Sequence, residues 1–212
     1  MERVSVPDRP QARSALAGVY RAGRYGANST GEAGVTVCER RGLAIVHLAG
    51  DDGDAAFRRA AEEWLGLGLP RAPNTAASSD AWTALWLGPG RWLLVAAARE
   101  TDRAADELRG VLGPASAAVT NIGSGRTVLR IAGRNGADAL AVGCPLDLHP
   151  RRFAPGQCAQ SAVAGINVLI HKLDASLRFD VFVARTYAET FWDWLDDAAA
   201  GFGFQVLEPS FV

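Results

Sequence analysis

Apolar and polar residues change their spacing several times along the chain, and each change predicts an element. From Gly34, GVTVCERRGLAIVHLAG reads as two short β segments around the polar turn Glu39-Arg40-Arg41-Gly42, with Val and Ile at the apolar positions. DDGDAAFRRAAEEWLG then shifts to helical spacing, which puts Phe57, Ala61, Trp64 and Leu65 on one side. Asp51 or Asp52 is the expected cap, Asp54 sits near the positive end of the helix, and Gly66, Gly68 and Pro70 stop it. PRAPNTAASSD reads as a loop. WTALWLGPGRWLLVAA reads as a hairpin turning at Gly88-Pro89-Gly90, with Trp82, Trp86 and Trp92 as large apolar contributors. Regular alternation would put Trp82 and Trp86 on one side, as core residues. A helix follows over 101–111, with Ala104, Leu108 and Val111 or Leu112 at helical spacing.

The second half repeats the scheme. GRTVLRIAG predicts a strand and RNGADALAVG a short helix. The three prolines of CPLDLHPRRFAPGQ prevent one regular element there. AQSAVAGINVLIHKLD and SLRFDVFVAR supply antiparallel strands, and GFQVL a last short one. TYAETFWDWLDDAAAG predicts the clearest helix, with a Thr186/Glu189 capping box and an apolar stripe of Tyr187, Phe191, Trp194, Leu195 and Ala198.

Two alignments of the chain with itself turn this into a pseudo-repeat. LAIVHLAGDDGDAAF resembles RTVLRIAGRNGADAL, placing Ala49-Gly50 against Ala132-Gly133, 83 residues later. WLLVAAARETDRAADEL resembles FDVFVARTYAETFWDWL, placing Arg99 against Arg185, 86 residues later. The near-equal offsets predict an internally duplicated α+β protein of antiparallel β-rich halves with packed helices, about 34–115 and 116–208. Residues 1–33 precede them as an N-terminal arm without a sustained apolar period, in which Ser14 to Leu16 is at most a local turn. The arm is expected to be ordered against a partner subunit, to be an ordinary disordered terminus, or to pack on its own domain. Residues 209–212 form a tail.

Composition narrows the function classes. With 49% hydrophobic and 21% charged residues in 212, the chain is expected to fold as a soluble protein. A net charge of -1 makes no general case for nucleic acid or an anionic membrane. The N-terminus lacks the apolar core of a secretion signal, and no apolar run reaches membrane-spanning length. Cys38, Cys144 and Cys158, odd in number and widely spaced, read as reduced thiols of a cytoplasmic protein.

Candidate chemistry is sparse. There is no GxGxxG and no Walker loop, and the Gly-Ser-Gly turn before Arg126 leads into another strand rather than a helix. Arg126 is a slightly better interaction candidate than Arg151 or Arg152 because it follows that turn, but an intramolecular ion pair is expected ahead of a substrate clamp. Cys144, His149, Cys158 and His171 lack the compact spacing of a zinc site. A Cys144–His149 nucleophilic pair on an irregular loop is a weak case, and Cys144 before Pro145 reads as a packed small side chain. His47 reads as a structural histidine. Asp147 and His149 are expected to orient their loop through backbone hydrogen bonds. Arg151 and Arg152 project into solvent or pair with acidic groups of a neighbouring subunit. Trp192, off the main stripe, either widens the core face or makes an intersubunit contact.

Four blocks carry a family resemblance: Asn121 to Arg130 (NIGSGRTVLR), Gly143 to Pro150 (GCPLDLHP), Phe153 to Gln160 (FAPGQCAQ) and Tyr187 to Leu195 (YAETFWDWL). In this order and spacing they closely resemble the gamma subunit of heterotetrameric bacterial sarcosine oxidases over about residues 12–205, and Arg13-Ser14-Ala15-Leu16 fits the beginning of that pattern. The resemblance implies an assembly with alpha, beta and delta subunits, and direct contact with alpha. Such a complex demethylates sarcosine oxidatively to glycine and hydrogen peroxide and passes the one-carbon unit to tetrahydrofolate. FAD, FMN and NAD are implied in the larger subunits and zinc in delta, with none bound by this chain. Gamma subunits also resemble, distantly, the folate-binding domain of the glycine-cleavage aminomethyltransferase, which implies that fold. The expectation is therefore an accessory subunit without catalytic, cofactor or metal residues of its own. An independent folate-binding or aminomethyltransferase-like protein is the alternative.

Overall fold

The computed structural model describes residues 13–26, 31–97, 101–113 and 117–211. Residues 1–12 of the arm, and Arg99 of the second internal alignment, lie outside the described residues. The strands are β1 (Gly23–Tyr25), β2 (Val35–Arg41), β3 (Leu43–Gly50), β4 (Ala76–Ser78), β5 (Trp82–Gly88), β6 (Arg91–Ala97) and β7 (Ala117–Asn121) in the first stretch. They continue as β8 (Arg126–Ala132), β9 (Cys158–Val163), β10 (Ile166–Lys172), β11 (Phe179–Ala184), β12 (Phe204–Val206) and β13 (Ser210–Phe211). Helices α1 (Ala55–Leu65), α2 (Thr101–Leu112), α3 (Gly136–Ala141) and α4 (Ala188–Ala200) interrupt them.

Two sheets result. The larger runs β1-β12-β2-β8-β11-β10-β9, with β13 also on β2, and the smaller runs β4-β5-β6-β3-β7. Reading the smaller sheet from its other edge exposes the duplication: β7-β3-β6-β5-β4 matches β2-β8-β11-β10-β9, strand for strand. The first strand of each half is exchanged: β2 pairs with β8 of the second half, and β7 pairs with β3 of the first. Gly42, in left-handed backbone at φ 69°, turns the chain out of β2 and into the other sheet. Glu39, Arg40 and Arg41 therefore belong to a strand rather than to the expected turn, and Glu39 is buried there.

Each sheet carries helices on its outer face. Phe57, Ala61 and Leu65 of α1 and Ala104, Leu108 and Leu112 of α2 pack on Val46, Leu48, Trp92 and Leu94. Val111, the other candidate, is exposed. Phe191 and Leu195 of α4 and Leu140 of α3 pack on Val37, Ile131, Val181 and Ile170. Leu16 and Tyr20 join that second core, so the described part of the arm packs on its own chain. The layer between the sheets is thin: Ile45, Leu85 and Leu93 meet Val128, Leu169 and Phe182, with Cys158 beside them. Ile45 and Val128 are 83 residues apart, the offset of the first internal alignment.

Several local expectations change. Asp54 is the cap of α1 rather than Asp51 or Asp52, because its side chain accepts from Ala56 N at 2.8 Å and Phe57 N at 3.3 Å. The stretch taken as a loop contains β4, held by β5. The capping box at α4 does not form: a 3-10 turn, Arg185–Tyr187, leads into the helix and Tyr187 caps it without a side-chain bond. Tyr187 is accordingly exposed instead of lying on the apolar stripe. Trp82 and Trp86 separate, Trp82 joining the core under α1 and α2 and Trp86 flanking the inter-sheet layer. The register breaks between Trp86 and Gly88, next to the predicted hairpin turn.

Candidate functional site

Two clefts border the thin inter-sheet layer, and Arg126 lines both. The first, about 540 Å³, is walled by His47, Leu93, Ile122, Gln160, Asn167 and Phe182. Burial, then the Arg91 and Arg126 charges, lowers the His47 pKa below the ordinary imidazole value, which favours a neutral ring. The second cleft, about 810 Å³, gathers Arg13, Arg40, Arg41, Arg126 and Arg185 beside Glu39, over Ile45 and Val128. Ser14 donates to the Glu39 carboxylate, and Arg41 Nε donates to it at 2.7 Å.

A row of polar side chains crosses the larger sheet on the face toward the smaller one. Strand register sets Cys38, Arg130, Asp180, His171 and Cys158 side by side on β2, β8, β11, β10 and β9. Arg130 holds Asp180 with both prongs, Nε to Oδ1 and Nη2 to Oδ2, each at 2.8 Å. Arg40 Nη1 adds a longer contact of 3.7 Å to the same carboxylate. Burial pushes the Asp180 carboxyl above its ordinary range, with Arg130 working against that shift. Burial also lowers His171, to about 4, so its ring is neutral at pH 7. The Arg40 side chain is 9% exposed and its Nε has no hydrogen-bond partner. Lys172 is buried on the opposite face of the same sheet, its Nζ also without a partner and 5.6 Å from the Phe179 ring centroid. A lone Asp in FDVFVA and the His-Lys pair ending INVLI are the sequence marks of these groups. Which of them meet depends on strand register, which the sequence pattern does not contain.

The residues singled out from sequence are scattered. Of the interface and loop candidates Arg126 alone reaches the clefts, joined in the first by His47, whose sequence setting marks it only as structural. Cys144 is buried in the core under α4, its Sγ 3.8 Å from Ser161 Oγ. Asp147 accepts from His149 N at 3.0 Å, and His149 Nδ1 accepts from Arg151 N at 3.2 Å, so these side chains brace their own loop. Arg151 and Arg152 are exposed, and Arg152 reaches Asp147 only at 4.0 Å. No hydrogen bond joins Cys144 to His149 among the described residues. Trp192 is 8% exposed and packs on Tyr20, ring centroids 4.9 Å apart. No three of the described His, Cys, Asp and Glu residues are grouped to hold a metal ion. None of the described helices is long and apolar enough to cross a membrane.

The family model described as "Sarcosine oxidase, gamma subunit family" matches residues 49–201. Among solved structures, a chain of the heterotetrameric sarcosine oxidase from Corynebacterium sp. U-96, in complex with pyrrole 2-carboxylate, superimposes with a TM-score of 0.80 at 30% identity. The match covers 89% of this chain and 94% of that one. The glycine cleavage system aminomethyltransferase T from Bartonella henselae gives a TM-score of 0.60 at 14% identity. It covers 84% of this chain and 48% of the larger enzyme, a likeness of fold alone. No curated protein sequence matches the chain.

Proposed function

The chain belongs to the sarcosine oxidase gamma subunit family, and from that premise we propose that it is the non-catalytic accessory subunit of a cytoplasmic heterotetramer with alpha, beta and delta partners. The complex would demethylate sarcosine oxidatively to glycine, form hydrogen peroxide, and deliver the one-carbon unit to tetrahydrofolate. FAD, FMN and NAD would be held by the larger partners and zinc by delta. The observation that carries this reading is the nearly end-to-end correspondence, 94% of the other chain, with a chain of a heterotetrameric sarcosine oxidase.

The polar groups themselves fit an accessory role. The bidentate Arg130–Asp180 pair uses both carboxylate oxygens, and the Asp147-His149 loop spends its side chains on its own backbone. These interactions fix strands and loops in place. A stiff two-sheet body of this kind suits a subunit that holds others, with alpha as the direct neighbour. Arg151 and Arg152 are the exposed charges proposed to face that neighbour.

Co-expression of all four chains, with affinity capture on this one and intact-mass analysis, tests the proposal. The expected product is a single flavin-containing complex whose sarcosine oxidase activity or yield falls when this chain is omitted. Recovery of this chain alone, with the other three assembling and turning over normally without it, would sink the reading. The alternative, an independent folate-binding protein, rests on the aminomethyltransferase fold. Saturable tetrahydrofolate binding by the isolated chain would favour it.

A further inference from the structure

The larger inter-sheet cleft is far more cationic than its own carboxylates balance. Glu39 is committed to Ser14 and Arg41. Asp180 is shared between Arg130, which grips it at 2.8 Å, and Arg40, which stands off at 3.7 Å. Among the described residues Arg13, Arg126 and Arg185 have no carboxylate partner, and the Arg185 guanidinium donates only to the Arg13 carbonyl, at 2.7 Å. Arg40, lining the same cleft, is 9% exposed with Nε unpartnered. Arg40 is the buried member of the group, where a donor left unmade is costly, while Arg13 and Arg185 are exposed at the cleft's mouth; like charges lining one cleft repel. A bound oxyanion offsets the repulsion among these charges, and guanidinium forks match carboxylate and phosphate oxygens.

The cleft also has an apolar side. Ile45 and Val128 line it, and Phe211, 74% exposed, stands with them. Its volume of about 810 Å³ falls in the range of small-molecule sites. We propose that this cleft binds a small organic anion carrying two or more carboxylate or phosphate groups, its oxyanions on Arg40, Arg126 and Arg185 and its apolar part on Ile45 and Val128. This inference does not rest on the proposed subunit role, since it concerns only groups within this chain.

Calorimetric titration of the full chain with citrate and with pyrophosphate, at low salt, tests it. One saturable site is expected, weakened about tenfold or more by Arg126→Gln and separately by Arg185→Gln. Arg103→Gln, at an exposed position on α2 away from the cleft, should leave the affinity unchanged, and thermal melts of all three variants should match the parent. Non-saturable binding, or equal affinity in the Arg126 and Arg103 variants, would overturn the site. Repeating the titration on the assembled complex separates a small-molecule ligand from carboxylates supplied by a partner chain. Binding that persists supports the proposal; binding to the free chain that vanishes in the complex overturns it in favour of the partner.

Discussion

His171 and Asp180 are cross-strand neighbours on β10 and β11, and both are nearly inaccessible to water. Burial and the nearby Arg130 charge outweigh the pull of the Asp180 carboxylate, so His171 is neutral in the folded chain, its pKa lowered from 6.5 to about 4. A histidine depressed on folding stabilises the fold above its unfolded pKa, and that stability is lost as pH falls through the folded value. Between pH 6.5 and 4 the chain is therefore expected to lose about 3 kcal/mol that His171→Gln would retain. Urea titrations of both proteins across that window check this. Parallel acid limbs would show that His171 protonates freely in the fold. None of this could be read from INVLIHKLD alone, where alternation says only that His171 shares a face with Leu169. Which carboxylate and which guanidinium stand beside it is settled by pairing with strands that begin or end many residues away.

Elements were more legible than residues, for a physical reason. Helical spacing, hairpin turns and apolar alternation are local, so α1, α2, the β5–β6 hairpin and α4 follow from the sequence to within a few residues. Strand membership of β2 and β3 is not local. GVTVCERRGLAIVHLAG contains two strands as expected, but they enter different sheets, and their separation at Gly42 leaves no mark beyond one glycine. The repeated Ala-Gly pairs are a better-marked feature. Gly133 has φ 102°, and a Cβ there would meet the Gly34 carbonyl oxygen at 2.5 Å. Gly133→Ala is expected to cost about 3 kcal/mol of stability, against about 1 kcal/mol for Asp54→Ala, which removes only the α1 cap. Denaturant midpoints measured at equal slope rank the two. A Gly133 variant no worse than the cap variant would mean that the β8–α3 corner relaxes without strain.

At the scale of the whole molecule the duplication and the strand exchange make opposite demands. The duplicated order of strands suggests two units, each with its own sheet and outer helices. The exchange forbids it: β2 finds its partners β8 and β12 in the second half and β13 in the tail after it, while β7, with Val119 in the core under α1 and α2, comes from beyond residue 115. A fragment of residues 34–115 would leave β2 with unpaired backbone and an apolar face of Val35 and Val37 in water. A fragment of 116–208 would open the larger sheet between β12 and β8, with nothing to fill the gap. Neither is expected to melt cooperatively alone, whereas mixing the two should restore one transition like that of the intact chain. Circular dichroism melts of each fragment and of their mixture check this; a sharp transition from 34–115 alone would mean that the exchanged strands add little. The same interlocking bears on the subunit role. Because each sheet takes a strand from the other half, the two cannot part without breaking ladder hydrogen bonds, so under the proposed role a partner subunit would meet one interlocked body. The arginine cleft is then fixed in shape by the two sheets that form it.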